Sequence, residues 1–130
     1  MNTDVQETRE LNDLSRAVIG AAFEVANQLG PGFLEQVYEL SLCRELTLRH
    51  VPVERQKVLP IAYKGVTVAS YIADVLVDER LLVELKCVES LRSEHVAQCI
   101  NYLAATRLKV CLLINFHKPK VEWKRVVREL

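Results

Sequence analysis

Leu81–Ser90 reads "LLVELKCVES". Leu81, Leu82, Val83, Leu85, Cys87 and Val88 give it the texture of a strand covered on both faces. Glu84 and Lys86 interrupt that texture, two residues apart. Side chains alternate along a strand, so the acid and the base share a face. The preceding apolar stretch, "VTVASYIADVLV" (66–77), carries a single charge, Asp74. If Asp78–Arg80 form a three-residue hairpin loop, Val77 pairs with Leu81 and Leu76 with Leu82. Asp74 then falls opposite Glu84, and directly opposed Cβ atoms lie about 4.5–5.5 Å apart. Two carboxylates so placed repel and lose solvation. A hard divalent cation such as Mg²⁺, which takes carboxylate and carbonyl oxygens, relieves both costs. Lys86 would offset charge and hold a water or phosphate oxygen. The competing reading is a buried Asp–Lys–Glu ion cluster without chemistry, and such clusters rarely improve on apolar packing.

The period of the chain changes on either side of this stretch. Leu11, Leu14, Val18, Ala22, Val25 and Leu29 recur at helical spacing. Asn12 is the expected N-cap and Gly30-Pro31 the stop. A second helix is expected over 32–49, with Leu34, Val37, Tyr38, Leu42 and Leu46 inward. From Pro52 the pattern becomes strand-like: "VERQKVLPIAY" (53–63), a Lys64-Gly65 turn, "VTVASYIADVLV", and "RLLVELKCVE" (80–89). Ser90 or Ser93 is expected to cap a helix reaching Thr106. "LKVCLLINF" (108–116) reads as a buried parallel strand and "KVEWKRVV" (120–127) as an edge strand. The order is α-α-β-β-β-α-β-β. A helix between the third and fourth strands makes that pair parallel, and the first three strands form a meander. The result is a mixed sheet with helices on both faces, which accounts for the apolar second to fourth strands.

The totals set bounds. A chain of 130 residues, half of them hydrophobic, suggests one domain able to bury a real core. Its apolar runs are too short to cross a bilayer, and its polar, acidic start lacks an apolar run of signal type. Both point to a soluble cytoplasmic protein. The four cysteines, at 43, 87, 99 and 111, have no CxxC spacing and read as reduced core thiols; a zinc site on Cys87, His95 and Cys99 is a weaker alternative. Net charge is zero but uneven. Residues 1–45 hold eight acids and three bases, whereas residues 107–130 hold seven bases and two acids. The basic end suits phosphates, or is a solvated surface.

Asp74 followed by Glu84-Leu85-Lys86 resembles the PD-(D/E)XK nuclease superfamily. "GFLEQVY", with Gly32, Glu35 and Tyr38, resembles the signature of its GxxExxY family. "GPGFLEQVYE", "YKGV", "VELKCVE", "AQCINYL" and "LLINF" follow in the order of that family, over residues 11–128. The resemblance implies a restriction-endonuclease-like mixed β-sheet flanked by helices; residues 11–130 are expected to form it as one domain, and the polar residues 1–10 read as a flexible tail. It also implies a Mg²⁺- or Mn²⁺-dependent nuclease acting on nucleic acid, DNA ahead of RNA. By resemblance, Asp74, Glu84 and the carbonyl of Leu85 bind metal, Lys86 orients the attacking water, Glu35 completes the site from the preceding helix, and Gln98 contributes from the following one. His95, Tyr102, Tyr38 and Gly32 are expected in supporting roles. His95, Gln98 and Tyr102 share a helix face, and the first turn of a helix favours an ionised Glu35. Two positions depart from the family pattern: Ile72, where Arg is common, and the neighbourhood of Ala26, where His is common. A homodimer is expected, so that both strands of a duplex can be cut, with contacts around Trp123. The alternative function is a non-catalytic nucleic-acid-binding or interaction module that retains the fold.

Overall fold

The computed structural model describes residues 3–128. The order is α1 (Thr3–Leu29), α2 (Glu35–Leu48), β1 (Val53–Tyr63), β2 (Val66–Val77), β3 (Leu81–Lys86), α3 (Ser93–Thr106), β4 (Val110–Asn115) and β5 (Glu122–Val127). The five strands form one sheet in the order β1-β2-β3-β4-β5. Only β3 and β4 run parallel, joined by α3; the other neighbours are antiparallel. The element order and the mixed sheet are those expected from the pattern.

Each face of the sheet buries its own core. On one face Leu81, Val83, Leu85, Leu112 and Ile114 pack under α1 and α2, against Val18, Val25, Leu42 and Leu46. On the other, Leu82, Cys111 and Leu113 pack under α3, against Cys99 and Leu103. Both faces of β3 and β4 are therefore dry, and their apolar sequence follows from that. The outer half of β2 differs from expectation: residues 66–70 are exposed, because the β1–β2 arm runs past the helices. Val58, Tyr63, Val66, Val68 and Ile72 stand in solvent along it.

The turns follow the sequence cues. Lys64 and Gly65 both take positive φ, as a two-residue hairpin whose twist matches its strands requires. Asp78, Glu79 and Arg80 close the β2–β3 hairpin, with Val77 opposite Leu81 and Leu76 opposite Leu82.

Three local expectations fail. In place of a tail over 1–10, α1 begins at Thr3, within the described residues. Glu7 binds Lys109 at 2.7 Å and Glu10 binds Arg80 at 3.0 Å, so the sheet supplies cations that hold this extra helical length. Asn12 consequently lies inside α1 and is no cap; its Oδ1 accepts from Arg125 Nη2 at 2.6 Å. Neither Ser90 nor Ser93 caps α3, because Arg92 holds the N-cap position and the His95 ring, at Nδ1, accepts the Arg92 amide at 2.9 Å.

The α1–α2 loop carries two positive-φ glycines, Gly30 and Gly32, the latter at 105°, where an L side chain is strained. Tyr38 fastens the loop. Its hydroxyl donates to Gly30 O at 2.6 Å and accepts from Phe33 N at 3.2 Å, and its ring stacks on Phe116 at 4.7 Å. Tyr38→Phe keeps the stacking and orphans both loop groups. The expected loss is about 1–3 kcal/mol, read as a lower denaturant midpoint with an unchanged slope.

Candidate active site at the parting of β2 and β3

The β2–β3 ladder stops at Val75 and Val83, one pair short of Asp74 and Glu84. Beyond that point the strands part, and the Asp74 side chain takes up the freed amide: Leu85 N donates to Asp74 Oδ2 at 2.9 Å. The cause lies in β1 and β2 together. Their register is constant from Val53↔Val77 to Ile61↔Ala69, but the Gln56–Asp74 pair is missing, and Gln56 takes φ 53°. Val75 and Val77 face α1 and α2, whereas Tyr71 and Ala73 face α3, although all four are odd-numbered. The alternation therefore slips at Asp74. Irregularities of this kind re-aim a side chain, and here the carboxylate turns into the gap between the strands.

The gap lets both faces of the sheet contribute. Glu35, the first residue of α2, comes from one side. Glu84 comes from the other, alternating with Val83 and Leu85. Lys86 ends β3. These groups sense one another. Glu35 is exposed at the mouth, yet partial desolvation and then the charge of Asp74 raise its pKa, with Lys86 opposing. Burial raises Asp74, against the Leu85 amide and Lys86. Glu84 is 7% exposed. Burial foremost, then the Cys99 thiol, Glu35 and Glu39, pushes it from an ordinary 4.5 to about 8, with Lys86 opposing. Its Oε1 is buried without a hydrogen-bond partner, and among the described residues no ion pair joins it to Lys86. Asp74 and Glu84 thus meet through Lys86 and Glu35 and not as the expected ladder pair.

The other expected residues divide. Tyr102 lies beside the group: its ring stacks on Tyr71 at 3.6 Å, and the charges of Glu84 and Asp74 help raise its pKa after desolvation. Gln98 is exposed on α3, with no hydrogen-bond partner among the described residues. His95 holds the start of α3. Tyr38 and Gly32 shape the loop that delivers Glu35. Ile72 is 52% exposed opposite Val58, and Ala26 is buried in the core. The alternative of Cys87, His95 and Cys99 around zinc is not formed: Cys99 interacts with Cys111, which lowers the Cys99 pKa, inside the α3-side core.

Three polar groups escaped the sequence reading. Glu39, 5% exposed, accepts from Gln56 Nε2 at 2.7 Å and pairs with Arg55 at 3.3 Å. It ties α2 to the irregularity that turns Asp74, and its spacing of four from Glu35 was the available signal. Asn115, fully buried, accepts from Val88 N and His117 N and donates to Val88 O and Glu122. Glu122 in turn accepts from Leu91 N. Together they fix the chain that leaves β3.

Among the described residues, no three His, Cys, Asp or Glu side chains form a group that could hold a metal ion as they stand. Two carboxylates with a neighbouring carbonyl nonetheless suit Mg²⁺, which keeps several waters and commonly uses one or two carboxylates. The orphaned, buried oxygen of Glu84 fits such an ion.

A sequence model of the PD-(D/E)XK nuclease superfamily matches residues 12–126. The chain belongs to this superfamily. Among solved structures, SSO0001 is similar, with a TM-score of 0.56 and 16% identity, covering 74% of this chain and 51% of that one. The chain thus spans about half the length of SSO0001. The alkaline exonuclease LHK-Exo from Laribacter hongkongensis has a TM-score of 0.50 at 15% identity, covering 83% and 76%. Its complex with dAMP gives 0.51 at 14%, covering 88% and 83%. At these identities the likeness is one of fold. No curated protein matches the sequence.

The raised Glu84 pKa has a sign that can be tested without metal. Below the ordinary carboxyl pKa, Glu84 is protonated in both states and contributes nothing. Between there and about 8 the unfolded chain gives up a proton that the folded chain keeps. Stability then falls with rising pH, by at most about 1.4 kcal/mol per unit, and levels off above. Asp74 and Glu35 act in the same direction. Denaturant unfolding in EDTA from pH 5 to 9 should show a shallower decline for Glu84→Gln than for the wild type; equal slopes would remove Glu84 as the cause.

Proposed function

We propose that this chain is a metal-dependent nuclease that hydrolyses phosphodiester bonds in nucleic acid, DNA ahead of RNA, at the group between β2 and β3. The observation that carries the reading is Glu84, a buried carboxylate with one unpartnered oxygen, beside a lysine with which it forms no ion pair. Burying such a group costs stability, and a divalent cation removes the cost. Asp74, Glu84 and the Leu85 carbonyl would hold Mg²⁺ or Mn²⁺, with Glu35 completing the set. When bound, the ion supplies Lewis-acid polarisation of a phosphoryl oxygen and a lowered pKa for its water.

The chain's own residues do the rest. Leu85 N holds Asp74 in one orientation. Lys86 holds the attacking water near the scissile phosphate and balances charge gathered on its oxygens. Glu35, exposed at the mouth with its pKa raised, must lose its proton to complete the set, so its contribution grows with pH. Tyr102 walls the α3 side, and Gln98, on the exposed face of α3, approaches the substrate strand. We assign the chain to the GxxExxY family within the superfamily, because each signature residue has a distinct physical task here: Gly32 bends the loop, Tyr38 fastens it, and Glu35 opens α2 at the site. Among the described residues, no helix is long and apolar enough to cross a membrane. Cytoplasmic location and a homodimer are part of the proposal, with Trp123, 41% exposed on the edge strand β5, at the contact.

The zero net charge of the chain favours a second reading, a module that binds nucleic acid without cutting it. Mn²⁺ calorimetry with a nuclease assay on mixed DNA and RNA substrates separates the two. The wild type should bind Mn²⁺ and cleave, and Glu84→Gln should lose both. Lys86→Ala should keep ion binding while cleavage falls about a hundredfold or more. A wild type that binds no Mn²⁺ and cleaves nothing overturns the nuclease and leaves the binding module. Light scattering tests the dimer: a monomer at tens of micromolar, which detects contacts tighter than about −6 kcal/mol, removes it.

A further inference from the structure

The chain that leaves β3 after Lys86 does not close over the sheet. It borders a cleft of about 410 Å³ whose lining includes Ser90, Arg92, His95 and His117, with Glu89 and Glu94. The cleft begins one residue beyond Lys86, at the carboxyl ends of β3 and β4, the single parallel pair of the described sheet. Open α/β sheets present ligands there, outside the carboxyl ends of the strands.

The walls are fixed in advance. Asn115 binds Val88 on one side and His117 N on the other. Arg92 N fixes the His95 ring through Nδ1, which leaves Nε2 to carry the imidazole proton as a donor. His117, in the lining, opens the loop that carries part of the basic end of the chain. The β4–β5 loop reads His117-Lys118-Pro119-Lys120 and is exposed throughout. The nearest acid on the following strand, Glu122, is already held by Asn115 and Leu91 N. Within the lining, Glu89 and Glu94 stand against three nitrogen-bearing side chains, Arg92, His95 and His117; Lys118 and Lys120 follow His117 along the exposed loop.

We infer that this cleft is a phosphate subsite, which takes a nucleic-acid phosphate next to the one presented to Glu84 and Lys86. This rests on the nuclease reading for its purpose, though not for its chemistry. Arg92, His95 and His117 meet the phosphate oxygens from the cleft walls, and Lys118 and Lys120 hold the strand as it leaves. The phosphate is either a terminal monoester or an internal diester, and these share the same recognition. Arg92 and Lys118 would also set the direction in which the strand crosses the carboxylates.

The test uses fluorescence anisotropy in EDTA, where no cleavage interferes. The probes are a labelled single-stranded DNA with a 5′-phosphate and the same strand without it, each also competed with inorganic phosphate. Exposed positions are changed, so the fold is kept: His117→Ala with Lys118→Ala, and separately Arg92→Ala. Arg16→Ala, on the exposed face of α1, is the control. The wild type and the control should bind alike. The cleft variants should bind about tenfold more weakly or worse, and the slope of log affinity against log salt should drop by about 0.7 for each phosphate of the single strand that goes unneutralised. Preference for the 5′-phosphorylated strand identifies a chain end; equal binding identifies an internal diester. Cleft variants that bind as tightly as the wild type overturn the subsite, as does a wild type that binds neither strand. Cleavage is then assayed separately with Mn²⁺. A wild type that binds through the cleft and cuts nothing ends the nuclease reading and leaves the subsite; one that cuts while the variants bind unchanged does the reverse.

Discussion

The hydrogen bond from the Leu85 amide to the Asp74 carboxylate organises the candidate site. An amide at the end of a ladder normally finds a carbonyl on its neighbour, and a buried one without a partner costs more than the bond is worth. Because a side chain satisfies Leu85, β2 and β3 can part without leaving an orphan. The parting creates a gap beside the part of the sheet that helices close on both faces. Through that gap an acid from the α2 side and an acid and a lysine from the α3 side come within electrostatic reach. The strand irregularity at Gln56 and Asp74 sets the angle, and Glu39 secures it from α2 by holding Gln56 and Arg55.

The loop before α2 belongs to the same device. Gly30 and Gly32 give a path that residues with side chains resist, and Tyr38 closes it from within by two hydrogen bonds and a ring stack. The ring it stacks on, Phe116, follows β4 and donates its amide to Lys86 O. The residues that orient Glu35 and those that orient Lys86 are therefore in contact. The loop that carries Glu35 and the strand end that carries Lys86 thus form one continuous unit.

Periodicity made most of the fold legible. Continuous apolar runs at β3 and β4 reported two covered faces, and a helix between them reported a parallel pair. The loop length after Val77 fixed the start of the β2–β3 register, and it holds for the three pairs that form. It failed at Asp74 because alternation assumes an unbroken ladder, and nothing in the letters marks Gln56 as a residue of positive φ. Asn12 misled because capping preference is local, whereas the length of α1 is decided by Lys109 and Arg80, far along the chain. Glu39 and Asn115 were invisible for the related reason that polar residues resemble surface until the fold encloses them, and Glu122 because its partners, Asn115 and Leu91, are set by the fold. His95 and Gln98 share a helix face as expected, yet the first is occupied at the helix start and the second points outward.

The sequence separation of the site's parts has a consequence for how the group is kept together. Glu84, Lys86, the cleft and the β4 strand that supports them lie on one contiguous β–α–β segment, whose strands are the most enclosed of the fold. Asp74 sits instead on the hairpin arm, whose far end stands in solvent with its apolar side chains uncovered. Opening free energy in a native protein varies by segment, and poorly covered strands open first. Amide exchange should divide along this line, fast on the arm and slow on β3 and β4. Asp74 stands at the boundary, between the buried Ala73 and Val75 and the exposed far end of the arm, so fraying from that end would reach its carboxylate before Glu84 or Lys86. What steadies the far end of the arm therefore also steadies the place of Asp74 beside Lys86 and Glu35.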